Sequence, residues 1–216
     1  MTKKVPLNGT CAICKATVNK KDVKKHLQTC LRESGREEKT AGRKKPPAGL
    51  FHLLVEGYGI SGDLYWMHLK ALASARFRDL DMFLRETWLE CCGHMSAFSA
   101  KEGDIAMGAT LGETLTPRQK LAYEYDFGST TELLLTVVSE FEGTVKKGKV
   151  KILARNDPPE IKCSQCEKPA TTICTECMYD GEGWLCDDCA ESHECDPEMF
   201  LPLVNSPRAG VCAYAG

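Results

Sequence analysis

The sequence predicts an α+β fold, a central antiparallel sheet with helices, flanked by small cysteine-rich modules. Three observations lead there. Cysteine and histidine gather toward the two ends of the chain in metal-ligand spacing. The middle, residues 49–156, holds most of the apolar residues. Within it the periodicity runs strand, strand, helix, then mostly strands, which suits an antiparallel sheet better than repeated strand–helix–strand units. With 216 residues and 43% hydrophobic content, the chain can build one sizeable core, and one or two domains plus small modules.

The first module covers residues 1–31. Cys11 and Cys14 form a C-x-x-C knuckle. The spacing predicts a helix over 20–31, with Val23, His26, Leu27, Cys30 and Leu31 on its buried face. His26 and Cys30 are one turn apart and point at one spot. Cys11, Cys14, His26 and Cys30 therefore supply the four N/S ligands of a tetrahedral zinc ion. Residues 32–48 are polar and charged and end in Pro46 and Pro47, a composition expected of a flexible linker.

In the domain at 49–156, residues 51–58 and 64–72 read as a hairpin turning through Gly57, Gly59 and Gly62. A helix is expected over 77–91, with Gly93 as its C-cap. Strands are expected at 120–127 and 131–141, with Gly128 and Ser129 between them, and a last strand at 149–154. Cys91 falls on the apolar stripe of the helix, so Cys91 and Cys92 beside His94 read first as core packing. Metal or redox chemistry there is the second reading, because adjacent side chains diverge. Asp126 could pair with His68 or His94, but the sequence does not bring them together. The chain lacks G-x-S-x-G and a P-loop; Gly57, Gly59 and Gly62 do stand at G-x-G-x-x-G spacing, but a strand-like run at 64–72 follows them rather than a helix, so they read as a turn.

A hinge at 155–159 leads to the last module, residues 157–216. Three C-x-x-C pairs follow in a row: Cys163 and Cys166, Cys174 and Cys177, Cys186 and Cys189, then His193 and Cys195. Eight such residues fill two closed zinc sites, bringing the expected total to three ions and making both end modules zinc-binding. Disulfides are the competing reading. The start of the chain has no apolar leader, so a cytoplasmic protein with reduced thiols is expected. Catalytic zinc keeps an open position, and neither H-E-x-x-H nor H-x-E before P-C-x-x-C is present, so no catalytic residue is assigned. Pairs one and three can share an ion while pair two joins His193 and Cys195, or pairs can join in sequence. A Pro- and Gly-rich tail at 199–216 carries a lone Cys212.

Charge is distributed unevenly. Residues 1–48 carry 13 Lys/Arg against 4 Asp/Glu, and residues 157–200 carry 2 against 12. A basic head of this kind can track phosphates, so nucleic acid is a candidate partner through residues 1–48. The main expectation is a protein partner, with the chain acting as a non-enzymatic adaptor. An enzyme built on the central domain is the third reading. No apolar run is long enough for a membrane helix.

Three resemblances add to this. The first module, with CAIC at 11–14 and VKKHLQTCL at 23–31, resembles the C-C-H-C fingers of the ubiquitin-binding, Rad-eighteen-like class. Gln28 stands where those fingers carry an acidic residue that helps grip ubiquitin. The eight ligands from Cys163 to Cys195 resemble B-box-type fingers, which implies interleaved pairing, with Cys195 in place of the family's usual histidine. YWMHL at 65–69, LDMFLRETW at 80–88, HMSAF at 94–98, LAYEYDFG at 121–128 and LPLVNSPRAGVCAY at 201–214 resemble the Ri-plasmid open-reading-frame-three-like family. That family implies an α+β fold and has no established activity to carry over. Many members continue with Asp, Trp and His after YDFG, whereas Ser129, Thr130, Thr131 and Glu132 follow here.

Overall fold

The computed structural model describes residues 8–40, 48–145 and 147–216, with side chains in the first helix only as far as Glu33. In chain order its elements are β1 (Asn8–Cys11), β2 (Thr17–Asn19), α1 (Val23–Thr40), β3 (Ala48–Tyr58), β4 (Leu64–Leu72) and α2 (Phe77–Leu84). They continue with β5 (Ser96–Ala100), β6 (Gly103–Ile105), α3 (Leu111–Thr114), β7 (Lys120–Tyr125), β8 (Thr131–Gly143) and β9 (Val150–Asn156). The last are β10 (Thr172–Cys174), β11 (Trp184–Leu185), α4 (Asp187–Glu191) and β12 (Phe200–Pro202). The fold is α+β. Nine antiparallel strands form one sheet in the order β2-β1-β9-β4-β3-β8-β7-β5-β6, and β11-β10-β12 form a second, small sheet. Among the described residues, no helix is long and apolar enough to cross a membrane.

The large sheet buries both faces at its centre, and alternation along β4 shows how. Tyr65, Met67, Leu69 and Ala71 point into the main core with Phe77, Leu80, Leu84 and Trp88. Trp66, between them, points the other way and packs with Cys11, Val18, Val23, Leu27, Leu153 and Ala154. Successive strand side chains face opposite sides, so a strand covered on both sides reads as a continuous apolar run. The second layer is the finger. Its strand β1 pairs with β9, Gly9 opposite Asn156 and Cys11 opposite Ala154. A Cβ on Gly9 would sit 2.7 Å from the Trp66 ring, so only glycine lets the two chains close.

Several expectations need correction. α1 does not stop at the last ligand; it continues to Thr40, into the stretch expected to be linker, because 31–40 carries no proline to break it. The rest of that linker falls mostly outside the described residues. The helix expected over 77–91 is regular only to Leu84, widens into a π turn at Arg85–Leu89 and is capped at Glu90, where the backbone turns extended. Gly93 is therefore not its cap, although its φ of 72° is left-handed. Its amide donates to Glu90 Oε1 at 2.7 Å in the loop beyond. The finger strands β1 and β2, and the pair β5 and β6, are too short to have shown a period in the sequence.

The tail is built in. Residues 206–210 are all buried. Ser206 Oγ donates to the Trp88 carbonyl at 2.6 Å, and the fully buried Arg208 pairs with Asp126 at 2.7 Å. Asn156 Nδ2 donates to Asn205 Oδ1, and Asn205 Nδ2 donates to the Asn156 backbone carbonyl, both at 2.9 Å.

Candidate metal centres

Tetrahedral zinc with Zn–S near 2.3 Å and Zn–N near 2.0 Å sets its ligands about 3.8 Å apart for sulfur pairs and about 3.5 Å apart for sulfur and nitrogen. A cysteine and histidine group that fits zinc should approach those edges.

In the finger, Cys11 ends β1 and Cys14 lies in the turn to β2. That turn closes through the Cys11 amide donating to Ala16 and the Lys15 amide donating to Cys11, both 2.9 Å, with Lys15 at φ 66°. Asn19 Oδ1 accepts from the Lys21 and Asp22 amides at 3.0 Å and starts α1. The helix then carries His26 and Cys30 one turn apart. His26 Nε2 lies 3.2 Å from Cys14 Sγ and 3.3 Å from Cys30 Sγ. The Ala16 backbone amide, and thiol neighbours after it, bring the Cys14 thiol down to about 7.

The carboxy-terminal ligands separate into two groups, Cys163, Cys166, Cys186 and Cys189, and Cys174, Cys177, His193 and Cys195. The interleaved arrangement, which the B-box resemblance implied, is the one that the fold brings together. Cys166 Sγ lies 3.6 Å from Cys186 Sγ and 3.8 Å from Cys189 Sγ. Cys177 Sγ lies 3.4 Å from His193 Nε2 and 3.5 Å from Cys195 Sγ. Interleaving comes from the small sheet. β10 delivers Cys174 into a 3₁₀ turn that begins at Cys177, Gly181 at φ 84° reverses the chain, and β11 returns it to Cys186 at the start of α4. A Cβ on Gly183 would come within 2.6 Å of the Cys174 carbonyl oxygen, so this return also needs glycine. Burial pushes the Cys163 thiol up, but the Cys186, Gln165 and Cys166 amides outweigh it and hold it at about 6.

A fourth group joins Cys91, Cys92 and His94, for which metal was the second reading, to Cys212 of the tail, which the sequence did not connect to them. In all four groups the ligand atoms lie within 4.8 Å of one another, so each could hold a metal ion. All thirteen cysteines are free of disulfides. Cys91 does pack against the main core as expected, but only partly, and its thiol joins the group. A usable signal was present: once the expected sets have taken ten of the thirteen cysteines, Cys91, Cys92 and Cys212 are what remains. The undecided partner of Asp126 is His94, with Nδ1 3.5 Å from Oδ1. His68 instead meets His52 at 2.7 Å, both buried between sheet and finger.

An open cleft of about 590 Å³ lies on the large sheet, lined by Glu56, Tyr58, Glu124, Glu132 and, from the tail, Pro207 and Val211 among others. Glu124 and Glu132 face each other across β7 and β8, and Glu56 pairs with Lys20 of the finger at 2.5 Å.

Neither a family model nor a curated protein matches the chain. One crystal structure, of a protein of unknown function from Methanosarcina mazei Go1, is similar at 17% identity and a TM-score of 0.43, over 50% of this chain and 69% of that one.

Proposed function

We propose that the chain is a zinc-dependent binding protein, an adaptor of the Ri-plasmid open-reading-frame-three-like type, in which the metals close modules too small to fold by themselves. One observation carries the structural role of zinc. Each expected set, the finger quartet and the two of the carboxy-terminal cluster, offers four sulfur or nitrogen ligands, so a tetrahedral ion has no vacant position for water or substrate. Zinc affinity then appears as folding free energy rather than as catalysis. The protein is expected to keep at least three zinc ions after removal of loosely held metal. X-ray absorption should find sulfur and nitrogen alone around zinc. An oxygen ligand, or full loss of zinc without any change in fold, would overturn the reading and favour an enzyme.

A protein partner is the main expectation for what is bound. A second reading rests on Lys15, Lys21, Lys24 and Lys25, all exposed on the finger, which could follow a phosphate backbone. Deleting residues 1–48 would be a poor test, because it strips β1 from β9. Changing Lys21, Lys24 and Lys25 to Glu leaves the sheet intact. Binding to a labelled duplex or single strand that is salt-sensitive and lost in this variant supports nucleic acid. No binding to either leaves the protein-partner reading alone, and binding unchanged by the variant removes the finger lysines from the nucleic-acid reading.

A further inference from the structure

We propose that Cys91, Cys92, His94 and Cys212 bind a fourth zinc ion, whose role is to fasten the C-terminal tail to the central domain. The proposal deepens the zinc reading of the other three groups and rests on it. Its first support is the match to tetrahedral edges. Cys92 Sγ and Cys212 Sγ are 3.8 Å apart, and Cys212 Sγ and His94 Nε2 are 3.5 Å apart. Those are about the edges that zinc imposes on a sulfur pair and on a sulfur–nitrogen pair.

The second support is what stands behind the ligands. His94 presents Nε2 to the group and turns Nδ1 toward the Asp126 carboxylate at 3.5 Å. A carboxylate behind a ligating imidazole fixes its tautomer and raises its basicity, the usual support for zinc-bound histidine. Tyr125 stacks its edge on the His94 ring at 5.8 Å and so limits its rotation. Asp126 is in turn held by Arg208, whose second contact is Cys91 Sγ at 3.4 Å. Three thiolates and one Zn²⁺ leave a single negative charge, and the Arg208 guanidinium, fully buried, lies against it. Arg208 also donates to the Ser129 carbonyl at 3.1 Å and Thr131 Oγ1 at 3.0 Å. Cys212 takes a φ of 56°, a conformation that non-glycine residues rarely adopt and that turns its thiol back to the group.

The ligands also explain the tail. Cys212 lies about 120 residues from Cys92, so an ion here is a long-range cross-link. It would close the segment that carries Ser206, Arg208 and two walls of the cleft, Pro207 and Val211. Neighbouring cysteines can share the ion because the chain leaves the helix at Glu90 and bends at Cys91 and Cys92, so helical geometry does not splay their side chains apart.

The test is zinc per full-length chain, purified with added zinc and passed through a weak chelator. Wild type should hold four equivalents, and Cys212→Ser three, with the other three groups untouched. Amide exchange in 203–214 should become at least tenfold faster in Cys212→Ser, while β10 stays protected. Three equivalents in both proteins would overturn the fourth site and leave the zinc reading of the others intact. No zinc in wild type would overturn both. A Cys92–Cys212 disulfide in freshly isolated protein would also overturn it.

Discussion

The finger and the carboxy-terminal cluster are both short, cysteine-rich and closed by C-x-x-C knuckles, yet they are embedded differently. The finger lends two strands to the large sheet, with β1 hydrogen-bonded to β9, and its helix packs on Trp66, Leu153 and Ala154. The cluster keeps its strands in its own small sheet, and its apolar group is small: Ile173, Met178 and Ala209 are buried, with Trp184, Leu203 and Val204 packed partly against them. With zinc bound as proposed, the reach of each site should be set by what its strands pair with rather than by its ligands. Losing the finger metal should loosen the central sheet, while losing a cluster metal should stay local.

The largest effect should come from Cys14→Ser. Cys14 is exposed, so its replacement removes little packing and acts through the metal. Loss of a metal belongs with the rare changes worth roughly 4 kcal/mol or more, and the denaturation midpoint of the central domain should report it. If the midpoint holds while one zinc is lost, the finger is an independent module and the comparison fails.

Acid should act next, on the same side of the molecule. Burial holds His52 down at about 4 and His68 at about 3, with Lys20 and Lys24 of the finger adding repulsion. Unfolded histidine protonates near 6.5, so below that pH the unfolded chain binds more protons than the folded one. Stability from this pair is complete above 6.5 and is lost as pH falls toward 4, with a slope of up to about 1.4 kcal/mol per pH unit for each histidine. Urea unfolding from pH 7 to 5 should show it, and His68→Leu should flatten it relative to wild type. An equal slope in both proteins would assign the acid effect to the metal thiolates instead.

The smallest effect on the central domain should come from Cys177→Ser. One zinc should be lost and residues 163–195 should unfold. The stability of the large sheet should change by no more than about 0.5 kcal/mol, the scale of a substitution remote from it. A larger drop would mean that the cluster supports the sheet through the tail.

How much of this was legible in the sequence depends on the chain distance over which each feature acts. The finger quartet lies within one knuckle and one helix turn, and the seven cysteines and one histidine of the cluster lie within 33 residues, so spacing marked them as candidate ligands, while the pairing within the cluster stayed open. The hairpin at 51–72 and the long strand beginning at Thr131 were legible from their apolar runs. The docking of β1 on β9 was not, because it joins Gly9 to Asn156 and the three-residue β2 carries no period. The group at Cys91, Cys92, His94 and Cys212 was hidden for the same reason. Its fourth member, Cys212, lies 120 residues from Cys92, and the local pattern favoured packing for Cys91. Burial of both faces of β4 gave a run of apolar residues that says strand but not what covers it.

The central claim is that the finger metal holds an edge of the main sheet. Hydrogen exchange across β9 tests it most directly, comparing Cys14→Ser and Cys177→Ser with wild type at one pH. The account predicts that amides in Val150–Asn156 lose protection in Cys14→Ser and keep it in Cys177→Ser. Equal protection of β9 in both variants would contradict it.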